Sequence, residues 1–201
     1  FAGSSRAMLP TCAPEPYRIC SSDHACWRSE CTEIDLKKAT VRYSNLGGRG
    51  PDFGNPPAMR LGGVATIDDG RILDILITLQ KESGYTPTSS GFNKINADGF
   101  GVINVKAGTS VALTFTFVDA WDEEVELPCV TLSFYDFDNG AFSSEVLQIG
   151  GFDTYTLGEF SELAISSDGR DETRFTSTTR GLSVPTSPTA LNEQQLQRTV
   201  A

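Results

Sequence analysis

Histidine is almost missing from this chain: one stands in 201 residues, at position 24. A Ser-His-Asp or Cys-His nucleophilic site would have to be built around that single ring. No Gly-x-Ser-x-Gly elbow and no His-Glu-x-x-His pair occurs either. Positive charge is also scarce. Sixteen Lys and Arg against 26 Asp and Glu leave a formal charge of −10, so the basic footprint of a nucleic-acid binder is lacking. No apolar run approaches the roughly 20 residues that span a bilayer; the longest, near 72–79, is broken by Asp74 and Thr78. There is no Asn-x-Ser/Thr sequon, although Ser/Thr/Pro-rich stretches leave O-glycosylation open. The expected protein is not an enzyme.

Cysteine is scarce too, but unevenly so. Cys12, Cys20, Cys26 and Cys31 crowd one short segment and Cys129 stands apart. Such crowding in a loop-rich stretch predicts disulfides and an extracellular or cell-surface setting. Four cysteines allow three pairings. Cys129 is a buried thiol, a partner to one of the four, or a link to another chain. A zinc site with His24 is the alternative, and the lack of a Cys-x-x-Cys pair stands against it.

What remains reads as β structure: 19 glycines, β-branched runs and turn signals at short intervals. Residues 1–32 form a Cys-rich N-terminal extension, 33–182 the main domain, and 183–201 a Ser/Thr/Pro linker and tail. Strands are expected over 39–43, 59–66 with a bulge at Gly62-Gly63, 71–80, 111–117, 130–135, 145–149, 163–165 and 173–178. Asp74 lies inside the most apolar of these and needs a partner if buried. Residues 81–90 read as a polar crossing loop. The tail over 191–200 suits a short helix, or one more strand from 197, and stops mid-element, as expected if the natural protein continues or if this tail docks on a neighbour. The pattern implies an all-β, jelly-roll-like β-sandwich with a disulfide-rich extension.

The sharpest local feature is the hairpin around Val130 to Ile149. Val130, Leu132 and Phe134 alternate with polar residues, and the same parity continues into Asp136 and Asp138. Asn139-Gly140 supplies a turn and Glu145 opens the return. Asp136, Asp138 and Glu145 are the candidate metal ligands, for calcium, which takes oxygen donors; the spacing is not that of an EF-hand loop. The acidic stretch 119–126 is either solvated or lies beside that corner. Trp121, Tyr135 and Tyr155 are candidate stacking platforms for glycans. The loop Leu46-Gly47-Gly48-Arg49-Gly50 lacks the Gly-Lys-Ser/Thr of a nucleotide cradle.

Ser44 to Asp52, the run Phe134-Tyr135-Asp136-Phe137-Asp138 and the returning Glu145 together resemble modules of large secreted or cell-surface proteins of algae and related protists, over about 34–178. The resemblance carries no ligand assignment. It implies a non-catalytic extracellular β-domain of a coat, appendage or filament. Its partners would be neighbouring modules or identical subunits, with glycans as the alternative.

Overall fold

A computed structural model describes residues 31–140, 144–167, 169, 172–181 and 184–201, and the backbone of three short strands before residue 31. In chain order the strands are β1 (Ala2–Gly3), β2 (Arg18–Cys20), β3 (Cys26–Arg28), β4 (Thr40–Ser44), β5 (Ala58–Thr66), β6 (Ile72–Leu79), β7 (Lys94–Ile95), β8 (Gly101–Val102), β9 (Leu113–Val118), β10 (Leu132–Ser133), β11 (Val146–Gly150), β12 (Leu163–Ser167) and β13 (Glu172–Ser177), with one helix, α1 (Glu193–Leu196). The fold is all-β in character, and its sheets are antiparallel. One sheet runs β4-β5-β6-β9, a second runs β11-β13-β12, and β1-β10, β2-β3 and β7-β8 form pairs.

The first sheet follows directly from its period-2 pattern. Leu73, Ile75 and Ile77 of β6 and Met59 and Leu61 of β5 are fully buried on one face. Ile75 sits opposite Leu61 on one side and Phe117 on the other. Asp68-Asp69-Gly70 makes the β5–β6 turn, with Gly70 at φ +84° and Asp69 accepting the N–H of Arg71. The register slips between Leu61 and Ala65, which places the expected bulge at Gly62-Gly63. That bulge turns the Gly63 N–H to Asp74 at 2.8 Å, and Arg60 Nε reaches the other carboxylate oxygen at 2.7 Å. Asp74 is buried and fully partnered.

Ile34, Leu36, Leu46, Tyr85 and Phe100 complete this first core. Tyr85 comes from the stretch expected to be a polar loop. Its hydroxyl donates to the Asn104 carbonyl at 2.7 Å and accepts from Asn93 at 2.8 Å. The glycine loop after β4 is held by its own side chains: Asn45 Oδ1 accepts the Gly50 N–H and Asp52 accepts the Ser44 N–H. The Gly50 N–H is therefore already used internally.

A smaller second core gathers Phe137, Leu163, Phe175 and Val200 beneath β11-β13-β12. Leu147, Phe175 and Ile165 share one register row. Between the cores runs the segment 130–137. The expected alternation does not hold there. Val130, Leu132 and Tyr135 pack on the first core, whereas Phe134 and Phe137 pack on the second. Asp136, at φ +66°, breaks the extended backbone between them. Of the expected strand only β10 persists, flanked by single bridges from Val130 to Thr32 and from Phe134 to Val200.

Residues 184–201, expected as linker and tail, are packed in part, chiefly from Gln195 on. Pro185, Pro188, Gln195, Arg198 and Thr199 are buried, and Val200 is 4% exposed. The helix forms over four residues, whereas of the alternative strand only isolated bridges at Val200 appear. Asn192 caps α1 in a reciprocal capping box with Gln195, and Val200 then pairs with Phe134 and Leu157.

Cys31 is joined to Cys129, with Cα atoms 4.6 Å apart. Of the readings open for Cys129, this is the one in which it partners one of the four. Consequently no more than one bridge can form among Cys12, Cys20 and Cys26, and Cys31 is removed from any zinc set. The β2–β3 register sets Cys20 opposite Cys26; Cys12 and His24 lie outside the described residues.

Candidate functional site

The hairpin corner forms as an arrangement of carboxylates around a cation that the spacing of the acids did not suggest. Asn139 bridges to Ser144 and closes the hairpin. Asp138 and Glu145 exchange contacts across it: the Asp138 N–H donates to Glu145 Oε2 at 3.1 Å, and the Glu145 N–H to the Asp138 carbonyl at 2.9 Å. From the far end of the chain Arg198 enters, its side chain 3% exposed, with Nη1 2.5 Å from Asp138 Oδ1, 3.8 Å from Asp136 Oδ1 and Nε 4.0 Å from Glu162 Oε2. Nε also donates to the Gln194 carbonyl at 3.3 Å. Gly181 closes the corner: a Cβ there would stand 1.7 Å from Asp138 Oδ1 and 1.9 Å from Arg198 Nη1.

Three carboxylates, Asp136, Asp138 and Glu162, thus share one guanidinium, Glu145 stands across the hairpin from Asp138, and the imbalance shows in the acidity of Asp136 and Glu145. Burial, then the charge of Asp138, pushes the Asp136 carboxyl up, with Arg198 acting the other way. Burial also raises Glu145, aided by Asp138 and Asp136 and opposed by the Asp138 N–H. Asp136 Oδ1 is buried and accepts no hydrogen bond from the described residues. Among those residues no three Asp, Glu, Cys or His side chains are arranged to hold a metal ion. The donor set fits a guanidinium.

The acidic stretch 119–126 lies against the first sheet. Asp119 accepts the N–H groups of Trp121 and Glu123 at 2.9 and 3.1 Å and lies 3.5 Å from Arg71. Arg60 pairs with the Asp122 carboxylate and donates to the Asp119 carbonyl at 3.2 Å. This lattice fixes a tight turn, with Asp122 at φ +65°, and leaves Trp121 projecting at 76% exposure.

The three candidate platforms part company. Tyr135 meets Phe100 edge-on at 5.1 Å, and burial pushes the pKa of its hydroxyl up. Tyr155, 41% exposed, stands edge-on to Phe175 at 5.1 Å and to Phe152 at 6.0 Å. Trp121 alone of the three has no ring partner in the fold among the described residues. Two shallow depressions open on the surface. One of about 500 Å³ is lined by Phe152, Asp153, Glu172 and Thr173, and one of about 420 Å³ by Arg49 and residues 86–90. Neither is lined by Trp121, Tyr135 or Tyr155.

Sequence reasoning missed Arg198, Glu162 and Gly181. Nothing in local spacing marks them, since Arg198 meets Asp138 across 60 positions. No protein-family model, no curated protein and no solved structure matches this chain. No helix among the described residues is long and apolar enough to cross a membrane.

Proposed function

We propose that this chain is a non-enzymatic, extracellular structural or adhesive module whose contact with its partner runs through Trp121. The finer architecture in this reading is a β-sandwich, with β4-β5-β6-β9 and β11-β13-β12 as its layers. The observation that carries the reading is a tryptophan held out into solvent on a turn whose backbone is immobilised by Asp119, Arg60 and Arg71. Such a mount orders the side chain's support before any partner arrives, and rigid exposed tryptophans dominate contact energies. The Cys31–Cys129 link suits an oxidising milieu. The resemblance to surface modules of algae and related protists points the same way and rests on sequence alone. In this reading Arg198 supplies the positive charge that the acids of the hairpin suggested calcium would bring.

The carbohydrate-binding alternative keeps Trp121 as its platform but loses Tyr135, which is packed on Phe100. One assay separates the two. Retention on immobilised cellulose, chitin and laminarin is measured beside retention on immobilised copies of the chain, for the wild type and Trp121→Ala. The module reading expects retention on the chain itself and a loss of at least about tenfold in the variant, with an unchanged urea midpoint. Retention on a polysaccharide that Trp121→Ala abolishes transfers the assignment to the alternative. Retention unaltered by the substitution removes Trp121 from either role.

A further inference from the structure

The last residues of the second core sit in a ready-made slot. The Phe134 N–H donates to the Val200 carbonyl at 2.7 Å and the Phe134 carbonyl accepts the Val200 N–H at 2.9 Å; on the opposite side Thr156 and Ala201 exchange bonds of 2.5 and 3.1 Å. The strand is therefore paired along both edges. Its side chains are read as well. Val200 completes the cluster of Phe137, Leu163 and Phe175, and Arg198 meets Asp136, Asp138 and Glu162. Gly158 lets the slot approach the backbone of Leu196, since a Cβ there would stand 2.6 Å from that carbonyl oxygen.

A slot of this kind recognises a segment, not a covalent attachment. It selects the turn that ends α1, with Arg198 in it, followed two places later by an apolar residue whose backbone is bridged, and it carries more negative charge than one guanidinium balances. We propose that the slot of one copy accepts the segment from α1 to Ala201 of a second copy, so that chains join by exchanging it. The occupant is a second copy because the only segment shown to satisfy the slot is the chain's own. The eleven steps from Gly181 to Asn192 reach at most about 36–40 Å when extended, enough to cross to a neighbour. Exchange keeps every slot contact but draws Pro185 and Pro188 out of their buried places, a cost added to the entropy of association. The intramolecular arrangement competes with an effective concentration on the order of mM, so exchange belongs to crowded arrays or to refolding at high concentration. The inference does not depend on the role of Trp121.

Full-length Asp138→Ala and Arg198→Ala chains test it by complementation. Each lacks one half of the pair, and only exchange between the two rebuilds a native slot. After co-refolding at about 1 mM, the expected product is a one-to-one species with twice the 21.7 kDa mass of a chain, melting above either variant alone. Two separate monomers in the mixture would overturn the proposal. A second measurement needs no variant to fold. Unlabelled and ¹⁵N-labelled wild-type chains are mixed at the same concentration, warmed below the melting midpoint and cooled, and native mass spectrometry is read for dimers of mixed label. Monomers at every concentration overturn the proposal, and so does a dimer whose abundance survives Arg198→Ala, because another surface would then hold it.

Discussion

Arg198 and Asp138 lie 60 positions apart in sequence and 2.5 Å apart in space, with the guanidinium buried and the carboxylate at the slot's mouth. The pair fastens α1 and the strand after it to the hairpin that begins at Phe134. Removing the cation strands several half-buried carboxylates without a counter-charge. Breaking a fully buried pair costs about 3–5 kcal/mol. Here the Asp138 side chain is 40% exposed, so about 2–3 kcal/mol is expected for Arg198→Met, read as a fall in the urea midpoint. Melts of the wild type in calcium and in chelator should coincide; a large rise in calcium would show that the corner also takes a metal.

Two glycines with crowded neighbours should respond differently to alanine. At Gly158 the new Cβ meets the backbone carbonyl of Leu196, which cannot move without lifting the terminal segment. At Gly62 it meets Arg42, an exposed side chain free to swing away. Gly158→Ala is expected to cost about 2 kcal/mol or more and Gly62→Ala less than about 0.5 kcal/mol. Equal costs in chemical denaturation would show that the slot is looser than described.

Acidity should shape stability in two opposed ways. Asp136 and Glu145 have folded-state pKa values above the ordinary carboxylate range. The folded chain therefore binds more protons than the unfolded one in the window just above that range, and stability falls as pH rises through it. Asp35, Asp69 and Asp119 are held below the range, chiefly by Lys38, by the Arg71 N–H and by the Trp121 N–H respectively. Their contribution disappears as pH falls below the ordinary range. Melting temperature should therefore peak in mild acid. Asp136→Asn with Glu145→Gln should flatten the alkaline side of that peak, and an unchanged slope would place its origin elsewhere.

The Cys31–Cys129 link closes a loop spanning 98 positions. A loop of that length restricts the unfolded chain by an amount worth up to about 4–5 kcal/mol. Cys129→Ser should lower the non-reducing urea midpoint accordingly, and the wild type in reductant should shift the same way. The link also holds Thr32 beside Val130, where the Thr32 N–H donates to the Cys129 carbonyl at 2.9 Å. Loss of protection at that amide should accompany the fall in stability.

The first sheet was legible because its causes are local. Alternation set the buried face of β5, β6 and β9, Gly62-Gly63 announced the bulge, and Asp68-Asp69-Gly70 announced the turn. The acids of the hairpin were legible as a group, but their counter-charge was not, since Arg198 arrives through tertiary pairing that leaves no periodic trace. Tyr85 was hidden for a related reason. A lone aromatic in a polar stretch shows no period, and only Asn93 and Asn104, brought near by folding, reveal it as core. The segment 130–137 misled because alternation assumes one buried face, whereas this segment is covered on both.

The order in which the two cores acquire their parts has a bearing on synthesis. Every member of the first core lies between Ile34 and Tyr135, whereas Phe137, Leu163 and Phe175 wait for Val200. At about 5–20 residues per second, the 63 positions separating Phe137 from Val200 take roughly 3–13 s to translate. Over that interval the second core would expose Phe137, Leu163 and Phe175 without Val200. Holdase chaperones would find their target in this nascent intermediate.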